Sequence, residues 1–232
     1  MAYTDNMITV VYTVDRSENY LASTINSLKN AGIKCIIVSQ GSKSDKNLKN
    51  ANVDGNNFIV DYPKEVIDNP EFDSKSVRYK AQVNFINALR TNRMKSNYRL
   101  VLEDDVHASK QNTTPILNAY LRKMELLENG KPYILSLYTP YFPKTKELDV
   151  KKINLDHFYG TQACLYTESI SSELADFIEQ RIASLPHDYL IKDFCRYRGI
   201  AIYGATYSLF QHTGVHTTGL GHHHTAENFV GD

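Results

Sequence analysis

Tryptophan is absent from this chain, and its 232 residues include only 3 cysteines and 7 prolines. Cys35, Cys164 and Cys195 are odd in number and widely spaced, with no Cys-x-x-Cys pair. That excludes a disulfide framework and a thiolate zinc site and leaves free core thiols. Charge of one sign is not in excess, since 26 Lys and Arg balance 26 Asp and Glu. The chain therefore lacks the basic footprint of a protein whose main partner is nucleic acid or an anionic membrane. No run approaches the roughly 18 consecutive apolar residues of a spanning helix, and the opening MAYTDNMITVVYTV has neither a basic segment nor a cleavage site. Read as it stands, the chain is expected in the cytoplasm, although a domain cut from a longer or membrane-anchored protein would carry the same signature. A Gly-x-Gly-x-x-Gly turn is also missing: VDRSEN follows the first apolar run, which argues against a dinucleotide-dependent dehydrogenase.

What is present suffices for a sizeable core, with 42% hydrophobic residues, 16 Tyr and 9 Phe. Strand-like runs MITVVYT (7–13), IKCIIVS (33–39), FIVDY (58–62), YRLVL (98–102) and YILSLY alternate with segments of helical spacing at 17–30, 76–91 and 114–128. A strand TQACLYT, a helix over 168–183 and a short helix PHDYLIKDF opened by Pro186 follow. The solvated stretch 40–57 allows one short helix near 45–50. No repeat and no linker breaks the chain, so residues 1–232 are expected to form one α/β domain with a mixed, mostly parallel sheet flanked by helices.

Three groups of residues carry chemistry. Glu103, Asp104 and Asp105 end a buried strand, where open α/β sheets place their ligands. Three carboxylates there need a counter-charge, and a divalent cation holding a diphosphate supplies one. An exposed acidic turn is the alternative. The tail is the second group: His212, His216, His222, His223 and His224 fall within thirteen residues. His212 and His216 lie beside SLF and GVHTTG and are expected to line a pocket, whereas His222, His223 and His224 read as a mobile tail without a role. Asp188, at the start of PHDYLIKDF, is placed to act as a general base, with Asp193 one turn on as its rival and a plain helix-dipole acid as the alternative.

Taken in order, YTVDRSENYLASTINSL, SVRYKAQVNFINAL, YRLVLEDDV, PHDYLIKDF and SLFQHTGVHTTGLG resemble the catalytic domain of the N-acetylglucosaminyltransferase IV family, inverting glycosyltransferases of the Rossmann-like GT-A fold. The resemblance implies a nucleotide-binding half over 1–105 and an acceptor-binding half with a C-terminal lid over 106–232. It implies that Asp105 binds Mn²⁺ or Mg²⁺ with His212, that Glu103 and Asp104 hold the nucleotide side, and that Tyr12, Thr13 and Arg16 line the nucleotide pocket. Arg78 would pair with the diphosphate, Asp188 would be the base, and His212 and His216 would close over the donor with Gly214, Gly219 and Gly221 in a flexible lid. The implied partners are a nucleotide-sugar donor, with UDP as the carrier, and a glycan acceptor. The chain departs from the family in reading His-Thr-Thr-Gly-Leu-Gly and in placing Tyr189 where the family has Trp. A retaining transferase of the same fold and a non-catalytic nucleotide-sugar or glycan-binding module are the alternatives.

Overall fold

The computed structural model describes residues 3–13, 18–38, 58–61, 71–91, 95–110, 113–145, 147–215, 224–229 and 231. Its strands are β1 (Met7–Tyr12), β2 (Cys35–Val38), β3 (Phe58–Asp61), β4 (Tyr98–Glu103), β5 (Val106–Ala108), β6 (Tyr133–Ser136), β7 (Val150–Lys152), β8 (Ala163–Thr167), β9 (Ala201–Ala205) and β10 (Phe210–His212). The α-helices are α1 (Leu21–Asn30), α2 (Val77–Arg90), α3 (Thr113–Glu128), α4 (Glu168–Glu179) and α5 (His187–Arg198).

Among the described residues, eight strands form one sheet in the order β3-β2-β1-β4-β8-β6-β9-β7. The block from β3 to β4 is parallel, as the apolar run of β2 predicts. β8 then enters antiparallel between β4 and β6, β9 pairs parallel with β6, and β7 closes the edge antiparallel. The period-2 alternation of strand side chains splits the core in two. Val11, Leu100, Leu102 and Leu135 face Leu21, Ile25 and Leu28 of α1 and Leu117, Leu121 and Met124 of α3. Val10, Tyr12, Val101 and Ile134 face Phe85 and Leu89 of α2, Leu174 and Ile178 of α4, and Leu190 and Phe194 of α5. Full burial of each such side chain is worth about 1.5–3 kcal/mol. Cys35, Cys164 and Cys195 are buried free thiols, as their spacing predicts.

The helices begin and end for local reasons. Ser76 caps α2 by accepting the Tyr79 N–H at 3.2 Å. α4 stops at Glu179 rather than running on to 183, because the chain turns through Ala183 at φ 61° and Gln82 Oε1 takes the Ala183 N–H at 2.6 Å. Pro186 serves as the N-cap of α5 rather than its first helical residue, and Gly199, at φ 67°, ends that helix left-handed. α1 starts at Leu21, with Tyr20 as its N-cap. The short helix expected near 45–50 lies outside the described residues. β5, β7 and β10 are three-residue strands that the sequence pattern does not announce.

The described C-terminal residues pack back on the domain. Gln211 pairs with Ala226 in both directions, through Nε2 to its carbonyl at 3.1 Å and Oε1 to its N–H at 2.8 Å. Asn228 is buried and bonds Ser208 Oγ, Thr139 Oγ1 and the Thr206 carbonyl at 2.8–2.9 Å. These polar bonds anchor the segment together with Ala226 and Phe229, which pack on the core. Among the described residues, no helix is long and apolar enough to cross a membrane.

Candidate active site at the carboxyl ends of β1 and β4

β1 and β4 end side by side, with Tyr12 opposite Glu103 in the parallel register. Past that point the acidic triplet diverges. Asp104 is buried and its Oδ2 accepts the Thr13 hydroxyl at 2.6 Å, while the Thr13 carbonyl accepts Asn84 Nδ2 at 2.5 Å. The Thr24 hydroxyl lies 2.7 Å from the carbonyls of both Asp104 and Val106, fastening the turn to α1.

Asp105 faces the opposite strand pair. β10 runs antiparallel to β5 with His212 opposite Val106, which carries the imidazole over the turn. His212 Nε2 lies 3.2 Å from Asp105 Oδ2, and Thr213 donates its N–H and hydroxyl to the Asp105 carbonyl at 2.8 and 2.9 Å. Burial lowers the His212 pKa, but the Asp105 hydrogen bond and the charges of Asp105 and Glu103 outweigh it and raise the group overall. Gly214 closes against this pair. A Cβ there would stand 2.2 Å from Asp105 Oδ2 and 3.0 Å from His212 Nε2, so only glycine lets the backbone approach.

Glu103 belongs to a second cluster. Its backbone N–H bonds the Gln162 carbonyl at 2.9 Å, extending the β4–β8 ladder, and this register brings Thr161 alongside. Thr161 Oγ1 donates to Glu103 Oε1 at 3.1 Å, and His187 Nε2 lies 2.8 Å from Thr161 Oγ1 and 4.0 Å from Glu103 Oε1. The His187 ring stacks on Phe85, with centroids 5.1 Å apart, and meets Tyr12 edge-on at 6.4 Å. Burial pulls the His187 pKa down, with the Asp188 charge partly opposing it. The Tyr12 hydroxyl is buried beside Glu103, and burial followed by the Glu103 charge holds it far above the ordinary phenol pKa.

Tyr12, Thr13, Glu103, Asp104, Asp105 and His212 are thus gathered at one end of the sheet. Asp188 sits half-buried in the first turn of α5, next to His187. Arg78 lies seven residues before Phe85 on α2, hence on the same helical face, and its Nε is enclosed without a hydrogen-bond partner. Arg16, His216, Gly219 and Gly221 lie outside the described residues, as do His222 and His223. Gly214, assigned above to a lid, is buried against Asp105 and His212. His224 is not the roleless tail residue expected: its ring meets those of His212, Tyr138 and Tyr159 at 5.9, 5.8 and 5.2 Å. Its carbonyl accepts the Tyr138 hydroxyl at 2.5 Å and lies 3.4 Å from His212 Nδ1. Sequence reasoning also passed over His187 and Thr161. The one signal for His187 was its place between Pro186 and Asp188; Thr161 carried none, because it reaches Glu103 only through strand register.

Among the described residues no group of three or more His, Cys, Asp and Glu converges as a metal site. Asp105 and His212 nevertheless fit as two donors to a divalent cation. Carboxylate and imidazole both suit Mn²⁺, and such ions complete their shell with phosphate oxygens and water rather than a full protein cage.

No family model matches the chain, and no curated protein sequence does. Solved structures similar to it include a 4-diphosphocytidyl-2C-methyl-D-erythritol synthase from Anaerococcus prevotii, with TM-score 0.50 and 16% identity over 89% of this chain and 90% of that one. The galactosyltransferase LgtC is similar at TM-score 0.47 and 14% identity, covering 81% of this chain and 70% of that one. A glycosyltransferase involved in glycosylation of the major capsid of PBCV-1 is similar at TM-score 0.47 and 10% identity, over 91% and 95% of the two chains. At such identities the likeness speaks for architecture alone, a Rossmann-like α/β fold shared with the synthase.

Proposed function

We propose that the chain is a metal-dependent glycosyltransferase that moves a sugar from a nucleotide sugar, with UDP as the carrier, to a glycan hydroxyl, inverting the anomeric centre. The observation that carries this reading is the Asp105–His212 pair, 3.2 Å apart behind Gly214 at the carboxyl ends of the central strands. A divalent cation bound there supplies positive charge to a diphosphate leaving group. Arg78, with its enclosed and unpartnered Nε, is the residue to pair with that diphosphate as charge develops. Asp188 accepts the acceptor hydroxyl proton; the new C–O bond forms at the anomeric carbon as the bond to the diphosphate oxygen breaks. The kinship to the N-acetylglucosaminyltransferase IV family belongs to this proposal and rests on the five segments that resemble it.

Thermal melting with UDP, UDP-sugars and CTP, each with and without Mn²⁺, tests the reading on the wild type and Asp105→Asn. A ligand that binds only the folded chain raises Tm by mass action. Stabilisation by a UDP-sugar that needs Mn²⁺ and is lost in Asp105→Asn supports it. Stabilisation by CTP alone overturns it in favour of nucleotidyl transfer. The anomeric configuration of the product separates inversion from retention.

A further inference from the structure

Three side chains, from the end of β4, the connection before β8 and the start of α5, form an ordered chain of hydrogen bonds into the site. The Thr161 hydroxyl has one proton, and it is directed to Glu103 Oε1 at 3.1 Å. The 2.8 Å contact between Thr161 Oγ1 and His187 Nε2 must then be donated from the imidazole. This fixes His187 as the Nε2–H tautomer and sets the direction His187 to Thr161 to Glu103. The array is built into the fold. Thr161 is 4% exposed, the His187 side chain 15% and the Glu103 side chain 17%, and the imidazole is clamped by stacking on Phe85. Pro186 fixes the entry of α5, so the His187 backbone is held as well.

We infer that His187 and Thr161 are positioning residues that hold the Glu103 carboxylate in one orientation to accept hydrogen bonds from donor groups of the bound nucleoside diphosphate. The inference rests on the proposed transferase reading, in which Glu103 lies on the nucleotide side. A glutamate side chain is rich in rotamers, and freezing it on binding costs affinity. Here a buried hydroxyl just before β8, itself oriented by a clamped imidazole, freezes it before the ligand arrives. The ligand chemistry follows: an acceptor-only carboxylate recognises hydroxyl or N–H donors.

Isothermal titration of UDP in the presence of Mn²⁺ tests this on the full chain, comparing wild type, Thr161→Val, Thr161→Ser, His187→Phe, Glu103→Gln and Asp105→Asn. Thr161→Val is near-isosteric and His187→Phe keeps the stacked ring, so ligand-free Tm should stay near wild type for at least one of them. The expected result is a Kd for UDP raised about tenfold in Thr161→Val and His187→Phe, the size of one lost hydrogen bond to a charged group, with return to within about twofold in Thr161→Ser. A merely structural role would not be rescued in this way. If Glu103→Gln weakens UDP binding while Thr161→Val and His187→Phe leave it unchanged, the positioning role is overturned. If Glu103→Gln has no effect while Asp105→Asn abolishes binding, the inference falls and the transferase reading stands. If the wild type does not bind UDP, that reading falls and takes the inference with it.

Discussion

The three carboxylates of Glu-Asp-Asp look equivalent in a row, yet the backbone sends them to three different neighbours. Asp105 meets His212, Glu103 meets Thr161, and Asp104 is held by Thr13. This assigns a different cost to each change. Thr13→Val removes the donor to a buried carboxylate and should cost about 2 kcal/mol in urea unfolding, as for a hydrogen bond to a charged group. Gly214→Ala puts a methyl group on Asp105 Oδ2, where the ideal Cβ would stand at 2.2 Å. Gly214 is buried but lies outside the strands and helices, so the chain around it can shift to relieve the contact, at some loss of Tm. Mn²⁺-dependent stabilisation by UDP should then fall at least tenfold in apparent affinity. An unchanged response to Mn²⁺ would show that the space beside the pair is not where the cation sits.

At the scale of elements, long periodic segments were legible and short ones were not. The helix expected over 76–91 is Val77–Arg90, because Ala81, Phe85, Ala88 and Leu89 mark one apolar side and Ser76 caps it. β5 and β10 have three residues each, too few for a period to declare itself, and they exist because each supplies the other's ladder. They carry Asp105 to His212, so half of the candidate metal pair depended on an element the sequence does not show. Arg99 illustrates the same limit. Fully buried in β4, it bonds the Ala88 and Thr91 carbonyls at the end of α2 and pairs with Glu168 at the start of α4, at 2.7 Å. Nothing in YRLVL distinguishes it from a solvated arginine. Arg99→Ala strands those carbonyls and opens a cavity, and should destabilise by about 3–5 kcal/mol in chemical unfolding. Glu168→Gln, whose side chain is one-third exposed, should cost far less.

Across the whole molecule, the α/β alternation announced the parallel block, whereas the antiparallel insertion of β8 was not legible, since TQACLYT reads the same in either direction. That insertion matters, because antiparallel register is what sets Thr161 beside Glu103 and lets α5 deliver His187 to both. Burying a neutral histidine at this junction makes global stability depend on pH. The folded pKa of His187 is depressed, chiefly by burial, below an unfolded value of about 6.5. Below that pH the unfolded chain binds a proton that the folded chain refuses, so the contribution of His187 is complete above pH 6.5 and is lost as pH falls. For one proton the slope reaches at most about 1.4 kcal/mol per pH unit. His212 works in the opposite sense: its folded pKa is raised, so its contribution is present at low pH and lost as pH rises through that value. Wild type alone would therefore report a sum, and a paired measurement isolates the term. His187→Gln keeps an amide N–H for Thr161 and cannot titrate. Between pH 7.5 and 5 its unfolding free energy should fall less steeply than that of wild type, and the curves should run parallel above pH 7. Parallel curves over the whole range would mean that His187 is protonated as readily in the fold as in water, and that the junction of β4, β8 and α5 is open to solvent.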